Sequence, residues 1–237
     1  MHITDKVILI TGATGGLGTP VTAVLHAAGA RVVVSYSSSG SLAKLEKNLK
    51  INSGSLPAIQ ADVSKTASVE ALVQETLRRE GRVDALVNLV GGFAGGEPLT
   101  GTSEADWEKM QQLNLNAAFR LCKAVLPVMY RQKSGRVVMI AAQSGLRGTA
   151  GLSAYAASKA GLINLIQTVA AEGREHGVSA NVLVPGIIDT PANRAAMPDA
   201  DTSSWVKPEA MARVIAFLCS DAGGAVSGSA LQLTGVS

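Results

Sequence analysis

Tyr155 and Lys159 carry the strongest chemical suggestion in this sequence. In Tyr155-Ala156-Ala157-Ser158-Lys159 a phenol precedes an ammonium by four positions, and on a helix that spacing puts both on one face about one turn apart. A free phenol ionises near pH ~10. A neighbouring positive charge favours the phenolate and brings the group towards general acid–base work at neutral pH. The pair is expected to exchange a proton with a substrate. An ordinary amphipathic helix could carry the same two residues, so the assignment needs support from the rest of the chain.

The second feature is the run Ile10-Thr11-Gly12-Ala13-Thr14-Gly15-Gly16-Leu17-Gly18, placed between a β-branched stretch and a helical one, the context in which a glycine-rich turn cradles phosphate. Gly12 permits the sharp exit from the strand, Gly16 lets backbone approach a pyrophosphate, and Gly18 lets the helix pack against the sheet. Thr14, Gly15 and Leu17 complete the turn, and the helix start offers free N–H groups to anions. About twenty residues on, a unit selecting NAD presents Asp or Glu to the ribose 2′-hydroxyl. Here that place holds Tyr36, no carboxylate lies between Arg31 and Glu46, and Ser35, Ser37, Ser38 and Ser39 supply hydroxyls. The expectation is NADP(H), with NAD(H) as the alternative; Lys44 is the nearest downstream cation.

These residues need a scaffold, and the alternation of short β-branched runs with longer helical patterns predicts one. Strands are expected at 7–11, 32–36, 56–60, 85–90, 136–141, 180–184 and 230–233. Helices are expected at 16–28, 41–49, 65–80, 104–131, 154–175 and 208–220. The pattern reads as a single Rossmann-type α/β domain over residues 1–237, a doubly wound, mostly parallel seven-stranded sheet with helices on both faces. The irregular stretch 186–207 follows a strand at the carboxyl edge, where such folds bind ligands, and is expected to form a substrate lid. With 47% apolar residues and a net charge of +3 spread along the chain, a large core is available and no basic groove for nucleic acid is indicated. Cys122 and Cys219 stand apart from His and from each other, which argues against a disulfide framework or zinc site. Neither a signal peptide nor a membrane-spanning run is evident, so a cytoplasmic enzyme with no metal, membrane or nucleic-acid partner is expected.

Taken together, Thr11-Gly12-x-x-x-Gly16-x-Gly18 and Tyr155-x-x-x-Lys159 make the whole chain resemble the short-chain dehydrogenase/reductase family. Asp62-Val63, Asn88, Asn114, and Pro185-Gly186 with Thr190 follow in the family's order. The resemblance implies hydride transfer between a nicotinamide and a small carbonyl or alcohol substrate, with Tyr155 as proton donor or acceptor. It implies that Lys159 also holds the nicotinamide ribose and that Asn114 organises a water relay behind the lysine. Asp62 would accept from the adenine amine with Val63 offering backbone, Asn88 and Gly91 would flank the cofactor, and Gly186, Ile188 and Thr190 would meet the nicotinamide. Read alone, Asp62 would cap the following helix and Thr190 would bond its own loop. A homodimer or homotetramer paired through the helices near Asn114 and Tyr155 is also implied.

The resemblance breaks at one point of chemistry. The family carries a serine thirteen residues before the tyrosine, hydrogen-bonding the reacting oxygen, and here that position is Ala142. Loss of such a donor costs about 10² to 10³ in rate. Ser144 and Gln143 are the candidate replacements, and each is equally readable as an ordinary loop residue. Phe93, Arg194, Met197 and Trp205 are expected to wall the substrate pocket. Gly91-Gly92-Phe93-Ala94-Gly95-Gly96 and Ala142 also resemble the quinonoid dihydropteridine reductase branch. Reduction of a quinonoid ring, and a dinucleotide-binding sensor without turnover, therefore remain as alternatives.

Overall fold

The computed structural model describes residues 2–235. Seven strands form one sheet: β1 (Val7–Thr11), β2 (Arg31–Tyr36), β3 (Ala58–Gln60), β4 (Ala85–Asn88), β5 (Gly135–Ile140), β6 (Val178–Pro185) and β7 (Ala230–Leu233), in the order β3-β2-β1-β4-β5-β6-β7. Every pairing is parallel, where a mostly parallel sheet was expected. Parallel neighbours need crossovers, and the intervening helices provide them.

Successive side chains of a strand point to opposite faces, and here both faces are apolar. Val7, Leu9, Val33, Leu86, Val137, Met139 and Val182 pack under helices α3 (Thr66–Glu80), α5 (Ala117–Gln132) and α6 (Ser153–Gly173). Ile8, Ile10, Val32, Val34, Val87, Val138 and Leu183 pack under α1 (Gly18–Ala27), α2 (Ser39–Leu49) and α8 (Pro208–Cys219). Two covered faces explain the near-continuous Val/Ile/Leu runs in the sequence.

The order of strands reverses between β1 and β4, and the crevice at their carboxyl ends is the ligand-binding place of an open α/β sheet. It is pinned by Thr11 Oγ1 donating to Asn88 Oδ1 at 2.6 Å and Leu89 N donating to Thr11 O at 2.9 Å.

Two expectations need correction. The helix expected at 104–131 is interrupted: α4 (Glu104–Met110) passes through a π-helical segment, Gln111–Asn116, before α5 begins. The widened segment carries Asn114 inward, a common use of π-bulges at functional sites. The stretch 186–207 is less irregular than expected, because it contains a short helix, α7 (Pro191–Ala196), and a parallel bridge between Ile188 and Val206.

Candidate active site

The glycine turn closes as its sequence requires. Gly12 has φ +76°, and a Cβ there would lie 2.8 Å from Leu89 C and Val90 N, so only glycine lets β1 leave the sheet against β4. A Cβ on Gly18 would strike the carbonyl oxygens of Gly12 and Ala13. Gly15 N donates to Gly12 O at 3.1 Å, and Leu17 stands at the start of α1. The turn opens onto a cavity of about 600 Å³ lined among others by Gly12, Thr14, Tyr36, Asp62, Val63 and Val90. A cradle from which side chains are excluded, beside a cavity of that size, fits the adenosine and phosphate portion of a dinucleotide. A second cavity, about 730 Å³, opens at the opposite edge of the sheet around Arg136, Arg174 and Ser179 and contains none of the candidate residues.

At the 2′ end of the ribose position, Ser35 is buried while Ser37 is exposed. Gln60 Nε2 donates to Ser37 O at 3.1 Å, and Ser38 Oγ caps α2 by accepting from Ser41 N. Asp62 lines the cavity, but its Oδ1 accepts from Ser64 N at 3.0 Å and Ser64 Oγ at 2.6 Å. These bonds hold the carboxyl below its usual range. Asp62 thus closes a turn with Ser64 and does not cap the following helix, whose N-cap position is Lys65.

The catalytic half is built by α6, the π segment and the loop after β4. Tyr155 and Lys159 share a face of α6, with Lys159 Nζ 5.7 Å from the phenol ring centroid. Lys159 is buried and Nζ donates to Ile140 O at 2.9 Å. Asn114 Oδ1 accepts from Gly92 N at 2.9 Å, and its Nδ2 donates to Gly92 O at 3.1 Å and to Ser158 Oγ at 3.0 Å. Ser158 Oγ in turn donates to Tyr155 O at 2.7 Å. Asn114 is thus a brace linking the β4 loop to the turn of α6 that bears Tyr155. Ser158 was missed as a member of this network, although its place three residues after Tyr155 puts it on the same side of the helix. Gly91 sits where a Cβ would lie 2.9 Å from Asn114 Oδ1 and 3.3 Å from Lys159 Nζ, so this glycine keeps the cleft open beside the lysine.

The electrostatics differ from the expectation. Burial pushes the Tyr155 phenol above its ordinary value and pulls the Lys159 ammonium down from 10.5 to about 8. Desolvation disfavours both charged forms, and at 5.7 Å from the ring the ammonium does not reverse the effect. Tyr155 is therefore held as the neutral phenol in the cofactor-free site.

Around Tyr155 the carboxyl edge is apolar. The Phe93 ring meets Tyr155 edge-on with centroids 5.0 Å apart, and Phe93, Leu146 and Ile187 are all exposed. Leu146 and Ile187 were not anticipated; each directly follows a loop at the end of β5 or β6. Thr190 caps α7 by accepting from Asn193 N, and a Cβ on Gly16 would lie 3.0 Å from Thr190 Cβ. The stretch 186–207 therefore rests on the phosphate turn, with Pro185 and Gly186 leading into it and Ile188 tied to Val206.

Two lid residues do not have the expected role. Trp205 is buried at 3% exposure and packs as the base of the lid. Arg194 pairs with Asp189 at 2.5 Å, and Lys207 reaches the same carboxylate at 2.6 Å, so neither cation is free for a substrate. Met197 is half-buried at the end of α7. Asp189 was overlooked because a lone loop carboxylate gives no sign of partners 5 and 18 residues away.

Residues 6–201 match the family model for short chain dehydrogenase. The chain belongs to the short-chain dehydrogenase family. Among curated relatives, a 3-oxoacyl-[acyl-carrier-protein] reductase of Synechocystis sp. is 35% identical, covering 98% of this chain and 97% of its own. The enzyme of the same description from Escherichia coli is 31% identical, covering 99% and 98%. Among solved structures, levodione reductase superposes with a TM-score of 0.90 at 31% identity, covering 99% of this chain and 98% of its own. This short-chain dehydrogenase is therefore an oxidoreductase of the nicotinamide-dependent kind. No helix among the described residues is long and apolar enough to cross a membrane.

Proposed function

We propose that this enzyme is an NADPH-preferring carbonyl reductase, cytoplasmic and homo-oligomeric, with Tyr155 as proton donor. The observation that carries the reading is the buried brace Asn114–Ser158–Tyr155 O together with a phenol held in its acid form beside Lys159. A sensor that only bound dinucleotide would have no use for a positioned proton donor, and nothing in the site favours a quinonoid ring over a ketone.

The cofactor would lie with its phosphates on Gly12, Thr14, Gly15, Gly16, Leu17 and Gly18 and its adenosine among Tyr36, Ser37, Asp62 and Val63. Its nicotinamide end would lie between Asn88, Gly91, Pro185, Gly186, Ile188 and Thr190. Bound there, the reduced nicotinamide supplies hydride. The ketone carbon accepts that hydride while its oxygen accepts the Tyr155 proton, giving a secondary alcohol. The phenolate left on Tyr155 gains from the Lys159 ammonium, and Lys159 also reaches the nicotinamide ribose. Preference for the 2′-phosphate rests on the hydroxyls of Ser37 to Ser39 at the start of α2 and on the lack of a carboxylate at the end of β2 to repel it.

The test is loss of reduced-nicotinamide absorbance with NADPH and NADH in parallel, against ketones, diketones, a 3-oxoacyl thioester and quinonoid dihydropterin. Ketone turnover that falls about 10² to 10⁴-fold in Tyr155→Phe is the expected result. Tight cofactor binding without turnover of any of these would overturn the reading. Equal dissociation constants for NADH and NADPH would remove the cofactor preference.

A further inference from the structure

The family's substrate-orienting hydroxyl is missing at Ala142, and the geometry points to the carboxamide of Gln143, not to Ser144, as the donor that replaces it, serving a ketone that is uncharged where it enters the cleft. The inference rests on the reductase reading above. Ala142 lies two residues beyond β5 in an extended conformation, and the next three residues, Gln143–Gly145, form a single 3₁₀ turn. That turn is locked against the catalytic helix: a Cβ on Gly145 would lie 2.8 Å from Lys159 C and 3.0 Å from Ala160 N. Lys159 Nζ holds the strand just before it through Ile140 O.

With the turn fixed, its two polar side chains have different fates. Ser144 Oγ is sealed from solvent and meets no partner among the described residues. A substrate oxygen could reach it only if the atoms that cover it moved. The Gln143 amide also has no hydrogen-bond partner among the described residues, but it is not sealed. Its Nε2 lies 3.8 Å from the point where a Gly186 Cβ would stand, across the gap between the carboxyl ends of β5 and β6. A primary amide offers two N–H donors, and since no protein group fixes its rotation, the substrate oxygen can. Side-chain amides serve well as donors to developing oxyanions.

The surroundings specify the rest of the substrate. Phe93, Leu146 and Ile187 present exposed apolar surface at this edge, and Arg194 and Lys207 are paired with Asp189. A carboxylate on the entering end of a substrate would give up its water against this apolar surface. A ketone with apolar flanks loses little.

The experiment measures kcat and KM for an uncharged cyclic diketone and for a 2-oxo acid of similar size, using the full-length enzyme. The variants are Gln143→Ala, Ser144→Ala, Gln143→Ala with Ala142→Ser, and Tyr155→Phe. NADPH affinity by fluorescence titration serves as the check that each variant folds. The expected result is a fall in kcat of about 10² to 10³-fold for Gln143→Ala with KM within a few-fold. Ser144→Ala stays within twofold, and Ala142→Ser recovers at least a tenth of the loss. The diketone is preferred over the 2-oxo acid, and NADPH affinity is unchanged throughout. Full kcat in Gln143→Ala, or a large loss in Ser144→Ala, overturns the donor assignment while leaving the reductase reading intact. Preference for the 2-oxo acid overturns the substrate class. No Tyr155-dependent turnover in the parent enzyme overturns the reductase reading, and this inference with it.

Discussion

Replacing Lys159 by methionine should make the cofactor-free protein more stable while abolishing its chemistry. The side chain is 5% exposed, and burial lowers its ammonium from 10.5 to about 8. At about 1.4 kcal/mol for each tenfold change in proton affinity, that burial costs about 3 kcal/mol at neutral pH. Methionine has nearly the same length and no charge, so Lys159→Met removes this cost. It also removes the bond from Nζ to Ile140 O, worth about 1.5 to 3 kcal/mol with a charged donor. The net expectation is a gain of about 0.5 to 2 kcal/mol at pH 7, or about 1 to 8 °C in melting temperature for a chain of this size. The pH dependence has a definite sign. Below pH ~8 the folded and unfolded chains both carry the proton and the cost is complete. Between ~8 and ~10.5 only the unfolded chain binds it, so the native enzyme gains stability as pH rises and the advantage of the variant shrinks. Urea unfolding at pH 6, 7, 8, 9.5 and 10.5, at one protomer concentration because of the expected assembly, reads both effects. A variant less stable than the parent at pH 7, or an advantage that does not change with pH, would refute the reasoning.

Gly18→Ala should lower stability by about 1 to 3 kcal/mol, the usual cost of overpacking, because its Cβ would enter the carbonyls of Gly12 and Ala13. The same displacement should weaken NADPH binding by more than tenfold, measured by fluorescence titration; unchanged affinity would show that the turn is not the phosphate cradle. Asp189→Asn should loosen the lid, because Arg194 and Lys207 hold this carboxyl down at about 2 and lose their common partner. Trypsin cleavage after Arg194 should then be several-fold faster, and equal cleavage rates would count against the clasp. In the parent enzyme the clasp is complete above the ordinary carboxylate range near 3.8 and is lost only as pH falls towards 2.

The sheet was legible because its central strands are covered on both faces, so their apolar runs are uninterrupted; β1 falls where the pattern placed it, and so does the partly exposed edge strand β7. β3 is shorter than expected because Pro57 has no N–H for the ladder, although its carbonyl still accepts from Val34 N. The break between α4 and α5 was hidden because the π segment carries neither glycine nor proline, and its Gln and Asn residues read as the polar face of one continuous helix. Within the site, the glycine positions were readable since close backbone approach excludes every other residue type. The roles of Arg194 and Trp205 were not, because the pairing of a loop cation and the burial of a loop aromatic are set by how the loop folds and not by any periodic pattern. The expected lowering of the Tyr155 pKa failed for a related reason: helical spacing gives the distance between two groups but says nothing of the dielectric around them.

That last failure bears on the direction of catalysis. Helical spacing alone would make Tyr155 as ready to accept a proton as to donate one. Burial removes the symmetry, because a desolvated phenol resists ionisation, and a desolvated ammonium at the same site holds its own charge only up to about pH 8. The cofactor-free site is therefore set to protonate an oxygen, and the brace from Gly92 through Asn114 and Ser158 fixes where that proton is offered. Alcohol oxidation would require the phenolate first, and so a higher pH, at which Lys159 has begun to lose the charge that would stabilise it. Reduction starts from the neutral phenol and oxidation from the phenolate, so the two directions are expected to show opposite pH dependences, reduction slowing and oxidation quickening as the phenol ionises.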